Sequence, residues 1–161
     1  MDAPSSNVKP HAPNLLSTAL FIAAIVTISM AIGYVTRPGE WYADLSKPFF
    51  NPPSWVFGPV WNILYILIAI AGWRIMHRTG AIRAKAAWVV QMLLNWAWSP
   101  AFFGAEMPWL AFGIIVLMLL SILFFIFEAW RTDRISAWLF TPYAAWVVFA
   151  TLLNGSIAVM N

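Results

Sequence analysis

Long apolar runs leave this chain few folds to choose from. They cover roughly residues 15–35, 54–76, 86–103, 108–127 and 137–159 of 161. A helix of about 20 residues crosses the ~30 Å hydrocarbon core of a bilayer. Lipid offers backbone N–H and C=O groups no partner, so a spanning segment is a helix or part of a closed barrel. The runs lack the two-residue alternation of barrel strands. The sequence therefore predicts an all-α integral membrane protein, a bundle of five transmembrane helices forming one domain over residues 15–161. Residues 1–14, rich in Pro, Ser and Asn, are expected to be a disordered tail. The first run is long for the apolar part of a cleavable signal peptide and is retained as a span.

Charge supports this class and narrows the function. Only 9% of residues are charged, against about 25% in soluble domains. A net charge of +3 provides no basic face for nucleic acid. The basic residues mark orientation instead. Lys9, Arg74, Arg78, Arg83, Lys85, Arg131 and Arg134 fall on one side of a five-span bundle, and only Arg37 and Lys47 on the other. The positive-inside rule then places the N-terminus in the cytosol and the first loop across the membrane.

What the spans omit is equally informative. None holds an Asp, Glu, Lys, Arg or His in its interior, which argues against proton relays, ion-coupled transport and ordinary acid–base catalysis. His11 lies in the tail and His77 in a basic linker, so no axial ligand is on hand for a haem inside the bundle. Cysteine is absent, and no metal site is expected.

The loop between the first two spans is the least ordinary stretch. Trp41, Tyr42, Phe49, Phe50, Trp55, Phe57 and Trp61 crowd into it, with Pro48, Pro52 and Pro53 stiffening the backbone. A merely solvated connection would be polar, so this long aromatic loop is expected to fold back as a lid over a pocket. Of the eleven tryptophans, Trp55, Trp73, Trp88, Trp109, Trp130 and Trp138 sit near span ends, as interfacial belt residues do. Trp61, Trp96, Trp98 and Trp146 lie deeper.

Span 3 places Gln91, Asn95 and Trp98 on one helical face. Their amides serve either as interhelical glue or, for Asn95, as a donor into a pocket. Span 5 aligns Pro142, Trp146, Phe149, Ala150 and Leu153 in the same way, and span 2 sets Trp61 four residues before Tyr65. A flat aromatic ligand would be held there by stacking and shape. Gly33, Gly72, Ala111 and Gly113 permit close approach of a second helix or a second copy.

Four motifs in order carry a resemblance. They are W-Y-x-x-L-x-K-P-x-x-x-P-P from Trp41, W-x-x-x-Y at Trp61 and Tyr65, Q-x-x-L-N-x-x-W-x-P-x-F-F from Gln91, and P-Y-x-x-W from Pro142. The chain resembles the TspO/MBR family of tryptophan-rich sensory proteins and translocator proteins over essentially everything after the tail. The resemblance implies a five-helix bundle, commonly a homodimer. It also implies a pocket under the first loop for protoporphyrin IX, other tetrapyrroles and benzodiazepine-type drugs, with no obligatory cofactor.

Carried over motif by motif, the ligand-binding residues are Trp41, Tyr42, Phe49, Phe57, Trp61, Asn95, Trp98, Trp146, Ala150 and Leu153. Asn95 is then favoured as a pocket residue. The implied role is a sensor or regulator of tetrapyrrole or stress metabolism in a bacterial membrane. The alternatives are light- and oxygen-dependent porphyrin breakdown, with Trp61 and Trp146 as the catalytic candidates, or transport of porphyrin or sterol. The sterol motif of animal members needs a basic residue after a tyrosine on the last span, and none follows Tyr143 here.

Overall fold

A computed structural model describes residues 14–161; the expected tail, with Lys9 and His11, lies outside the described residues apart from Asn14. Helix α1 (Leu15–Val35) begins where the Asn14 side chain accepts a hydrogen bond from Ser17 N at 2.7 Å, satisfying one of the free donors of the first turn. It ends at Thr36, ahead of Arg37-Pro38-Gly39. The connecting loop contains a short helix, α2 (Glu40–Asp44), which the apolar pattern does not announce. Lys47 stabilises its end, donating from Nζ to the carbonyls of Ala43 (2.9 Å) and Leu45 (3.0 Å).

A single 3₁₀ turn, Ser54–Val56, leads from Pro53 into α3 (Phe57–Met76). Helix α4 (Ile82–Ser99) starts ahead of the expected 86, because Arg83 and Lys85 extend its first turn past the apolar run. At Pro100 the helix widens into a π turn, Pro100–Gly104, closed by Ala105 N donating to Pro100 O at 2.8 Å. The left-handed residue in the turn that follows is Glu106 (φ 56°). Helices α5 (Pro108–Thr132) and α6 (Arg134–Met160) are separated only by Asp133. The stretch Glu128–Ser136, expected as a linker, is therefore helical except at that residue. Charged helix ends continue into the headgroup layer, so the helices outrun the apolar runs.

The result is a helical membrane protein with no strand among the described residues. Four segments are long and apolar enough to cross a bilayer: Leu15–Val35, Ser54–Met76, Pro108–Thr132 and Arg134–Met160. The remaining long helix, α4, is less apolar, with Arg83, Lys85, Gln91 and Asn95 along its length. Helix α5 packs along α4 and α6, and α3 packs along α1 and α6, whereas α1 touches α4 at few points.

Ile68, Ile115, Met118, Ile122, Phe125, Phe140 and Val147 form the fully buried centre, where the rings of Phe125 and Phe140 sit 3.9 Å apart. Trp88 belongs to this core and not to an interfacial belt. Its Nε1 donates to Ile68 O at 3.0 Å, and its indole lies where a Cβ on Gly72 would stand. Gly72 is thus spent within the chain, as is the fully buried Ala111; Gly33 and Gly113 remain open. Trp55, Trp109, Trp130 and Trp138 are exposed on the outside of the bundle.

The basic end is tied by one buried carboxylate. Asp133 accepts from Arg74 Nε (2.9 Å) and Nη2 (2.8 Å), from Arg78 Nη2 (3.3 Å) and from Ser136 Oγ (2.7 Å). Burial alone would raise its pKa. The hydrogen bonds from Arg74 and Ser136 and the two arginine charges outweigh that and hold it below the usual carboxylate value. The folded state therefore favours the ionised form, and this stabilisation is complete above the unfolded pKa and lost as pH falls through the folded one. Asp133→Asn should lower stability near neutral pH by about 1.5–3 kcal/mol, the range for hydrogen bonds to charged groups. In detergent denaturation, the variant should lack the part of the wild-type acid loss that sets in below pH 3.8, the ordinary value.

Candidate functional site

Four polar side chains meet in the middle of the bundle and satisfy one another. Tyr65 Oη donates to Asn95 Oδ1 (3.2 Å), and Asn95 Nδ2 donates to Tyr143 Oη (2.9 Å). Tyr143 Oη in turn donates to Gln91 Oε1 (3.0 Å), and Gln91 Nε2 donates to Trp88 O (3.0 Å). Helices α3, α4 and α6 are joined by this chain of partners. Asn95 is consequently interhelical glue, and it also lines the cavity described next.

Beneath the lid lies a cavity of about 370 Å³, within the range of small-molecule sites. Aromatic side chains wall much of it, among them Tyr42 from the lid, Phe57, Trp61 and Tyr65 from α3, and Trp98 from α4. Trp61 stacks on Tyr65 at 27° with centroids 5.3 Å apart, and Trp98 stacks on Phe102 at 25° and 5.5 Å. The Trp98 indole is oriented by donation to Asn154 Oδ1 (3.0 Å), whose own amide donates to Pro108 O (2.9 Å). A second, much smaller cavity of about 20 Å³ lies against α6, lined by Trp146, Ala150 and Leu153. Tyr42, Phe57, Trp61, Trp98 and Phe103 line both cavities, so the two adjoin across these rings.

The expected site residues therefore separate into three groups. Tyr42, Phe57, Trp61, Asn95 and Trp98 face the larger cavity, while Trp146, Ala150 and Leu153 face only the smaller. Trp41 and Phe49 line neither. Trp41 packs edge-on against Phe102 at 5.8 Å. Phe49 is fully exposed at the tip of a turn closed by Asn51 N donating to Pro48 O. Among the described residues, Trp146 Nε1 is the one buried side-chain polar atom without a hydrogen-bond partner. A buried donor left unpaired costs about 1–3 kcal/mol, which an acceptor on a ligand would recover.

The α1 wall escaped the sequence reading. Ser29, Gly33 and Thr36 recur at i, i+4 and i+7 and line the larger cavity, a spacing that marks one face of an otherwise apolar helix. This wall is fastened to α4 by two side-chain bonds. Trp96 Nε1 donates to Ser29 Oγ at 2.9 Å, and the Thr36 and Ser99 hydroxyls are hydrogen-bonded at 2.6 Å.

The lid is fixed by its own polar groups and by the end of α6. Tyr42 packs on Phe102 and Phe103 and donates to Asn51 Oδ1 at 3.2 Å. Burial pushes the Tyr42 phenol above its ordinary value, the bond to Asn51 offsetting a part, so it remains a donor at neutral pH. Ser46 and Asn161 exchange two bonds: Ser46 N donates to Asn161 Oδ1 (2.9 Å), and Asn161 Nδ2 donates to Ser46 O (3.0 Å).

Comparison with known proteins agrees with these features. A sequence model of the TspO/MBR family matches residues 19–160. The chain is 37% identical over 154 residues to protein CrtK of Rhodobacter capsulatus, covering 91% of this chain and 95% of that one. It is 35% identical over 122 residues to a tryptophan-rich sensory protein of Cereibacter sphaeroides, covering 76% and 77%. The human translocator protein is 38% identical over 123 residues, 71% of each chain.

The Asn161 contact gives a local test of the lid. Asn161→Ala should speed hydrogen exchange of the Ser46 amide about 2–10-fold, matching the ~0.5–1.5 kcal/mol of one hydrogen bond. Exchange within α5, read in the same mass-spectrometric experiment, should not change.

Proposed function

The chain belongs to the TspO/MBR family, and from that premise we propose that it binds protoporphyrin IX and related tetrapyrroles under the lid and acts as a membrane sensor or regulator of tetrapyrrole metabolism. The observation that carries this reading is the cavity walled by aromatic rings from the lid, α3 and α4, adjoining a smaller space lined by Trp146, whose indole N–H is unpartnered. A flat, apolar macrocycle is matched by ring faces, which favour offset stacking. Movement of the shared rings would merge the two cavities and bring Trp146 to the ligand. The bonded Tyr65–Asn95–Tyr143 set holds α3, α4 and α6 in place around it.

Light-dependent porphyrin breakdown is a second reading, favoured by one observation. Trp61 lines both cavities, so an easily oxidised indole would lie against a bound macrocycle. Quenching of tryptophan fluorescence by protoporphyrin IX should be saturable. Trp61→Ala should weaken it about tenfold, the equivalent of ~1.4 kcal/mol of lost stacking and burial, and the exposed Trp130→Phe should not. Absence of saturable quenching would overturn the ligand reading. Illumination of the same samples in air separates sensing, where the porphyrin band persists, from breakdown, where it fades in wild type but not in Trp61→Phe.

We also propose five membrane crossings with the basic end in the cytosol, the lid on the opposite side, and a homodimer in the bilayer. The distribution of Arg74, Arg78, Arg83, Lys85, Arg131 and Arg134 supports the orientation. The chain has no cysteine, so single substitutions give clean labels. In intact cells, an impermeant maleimide should modify Phe49→Cys and spare Arg78→Cys. The reverse pattern would invert the topology.

A further inference from the structure

The α1 wall of the larger cavity carries a charge for which ring stacking has no use. Among the described residues, Arg37 is the only charged one lining that cavity. Among those residues it also joins no ion pair and no side-chain hydrogen bond; its guanidinium carbon rests 5.4 Å from the Tyr34 ring centroid. The other charges at this end of the bundle do not compensate it. Glu40, Asp44 and Glu106 line neither cavity, and Lys47 is engaged with the Ala43 and Leu45 carbonyls and the Tyr42 ring.

An exposed cation beside an uncharged, aromatic cavity is complementary to one kind of molecule. Its body is apolar and it bears an anionic group at the edge. A guanidinium offers paired donors in a planar fork that matches the two oxygens of a carboxylate. We propose that this cavity selects a carboxylate-bearing amphiphile, with the apolar body against Trp61 and Trp98 and the carboxylate paired to Arg37. The inference rests on the cavity being a ligand site and adds the chemical class that the site prefers. A tetrapyrrole with propionate side chains and a fatty acid share this chemistry, so both belong in the test.

Full-length protein in nanodiscs of neutral lipid would be titrated with protoporphyrin IX and its dimethyl ester, and with dibrominated stearate and its methyl ester. Each of these quenches tryptophan fluorescence. Wild type should bind the acid about tenfold more tightly than the ester for at least one body. Arg37→Gln should erase that preference while leaving ester affinity unchanged, and Arg37→Lys should retain part of it. The acid preference should also shrink with added salt. An equal acid-to-ester ratio in wild type and Arg37→Gln, or no acid preference in wild type, overturns the assignment. The two claims fail separately. Esters of both bodies that bind as well as their acids sink the role of Arg37 and leave the ligand site standing. Acid-selective binding of the brominated stearate alone sinks the tetrapyrrole reading and leaves Arg37 in place. No saturable quenching by any probe removes both.

Discussion

Polar groups inside a bilayer must find their partners within the protein, and most of this architecture follows from that requirement. The phenol of Tyr143 is fully buried, yet it accepts from Asn95 and donates to Gln91. Each partner sits on α4, so satisfying one hydroxyl on α6 fixes the rotation of both helices. Tyr65 then brings α3 into the same set through Asn95. At the basic end Asp133 does for the helix termini what Tyr143 does for the centre, gathering Arg74, Arg78 and Ser136 on one carboxylate. Trp146 stands apart, with an indole N–H that nothing in the described chain accepts.

The cavity exists because the polar fastenings hold the helices at a fixed spacing while the rings fill the space incompletely. Helix α1 is joined to α4 through the Ser29–Trp96 and Thr36–Ser99 bonds, and touches it at few other points. Small residues at Gly33 and Ala150 leave room beside Trp96, Trp98 and Trp146 where larger side chains would fill it. The lid closes the end of this space with Tyr42, which is buried against Phe102 and Phe103. Ring faces thus make up most of the cavity wall, and Arg37 is the one charged side chain among the described residues that line it.

Much of the helical framework was legible in the sequence, because apolar length is a strong signal in a chain with so few charges. The limits of α1, and of the second segment from Ser54 to Met76, coincide with the runs read from composition. The helical character of Glu128–Ser136 was hidden, since charges that end an apolar run do not end a helix. Trp88 was hidden for a related reason. Its place near a span end suggests lipid contact, but Gly72 across the interface makes room for it inside. Helical spacing grouped Asn95 with Trp98, and Trp146 with Ala150 and Leu153, yet it could not tell that two cavities divide these sets. Phe49 follows the aromatic pattern of the loop but points away, because turn geometry and not composition sets its direction. The α1 wall gave only a faint signal, a few small polar residues on one face.

The most direct measurement is fluorine NMR of protein carrying fluorinated tryptophan, titrated with protoporphyrin IX in the dark. The account predicts that the resonances of Trp61, Trp98 and Trp146 shift together along one saturable curve, while those of the exposed Trp130 and Trp138 stay fixed. Shifts confined to the exposed tryptophans would place the porphyrin on the outside of the bundle and contradict a site beneath the lid.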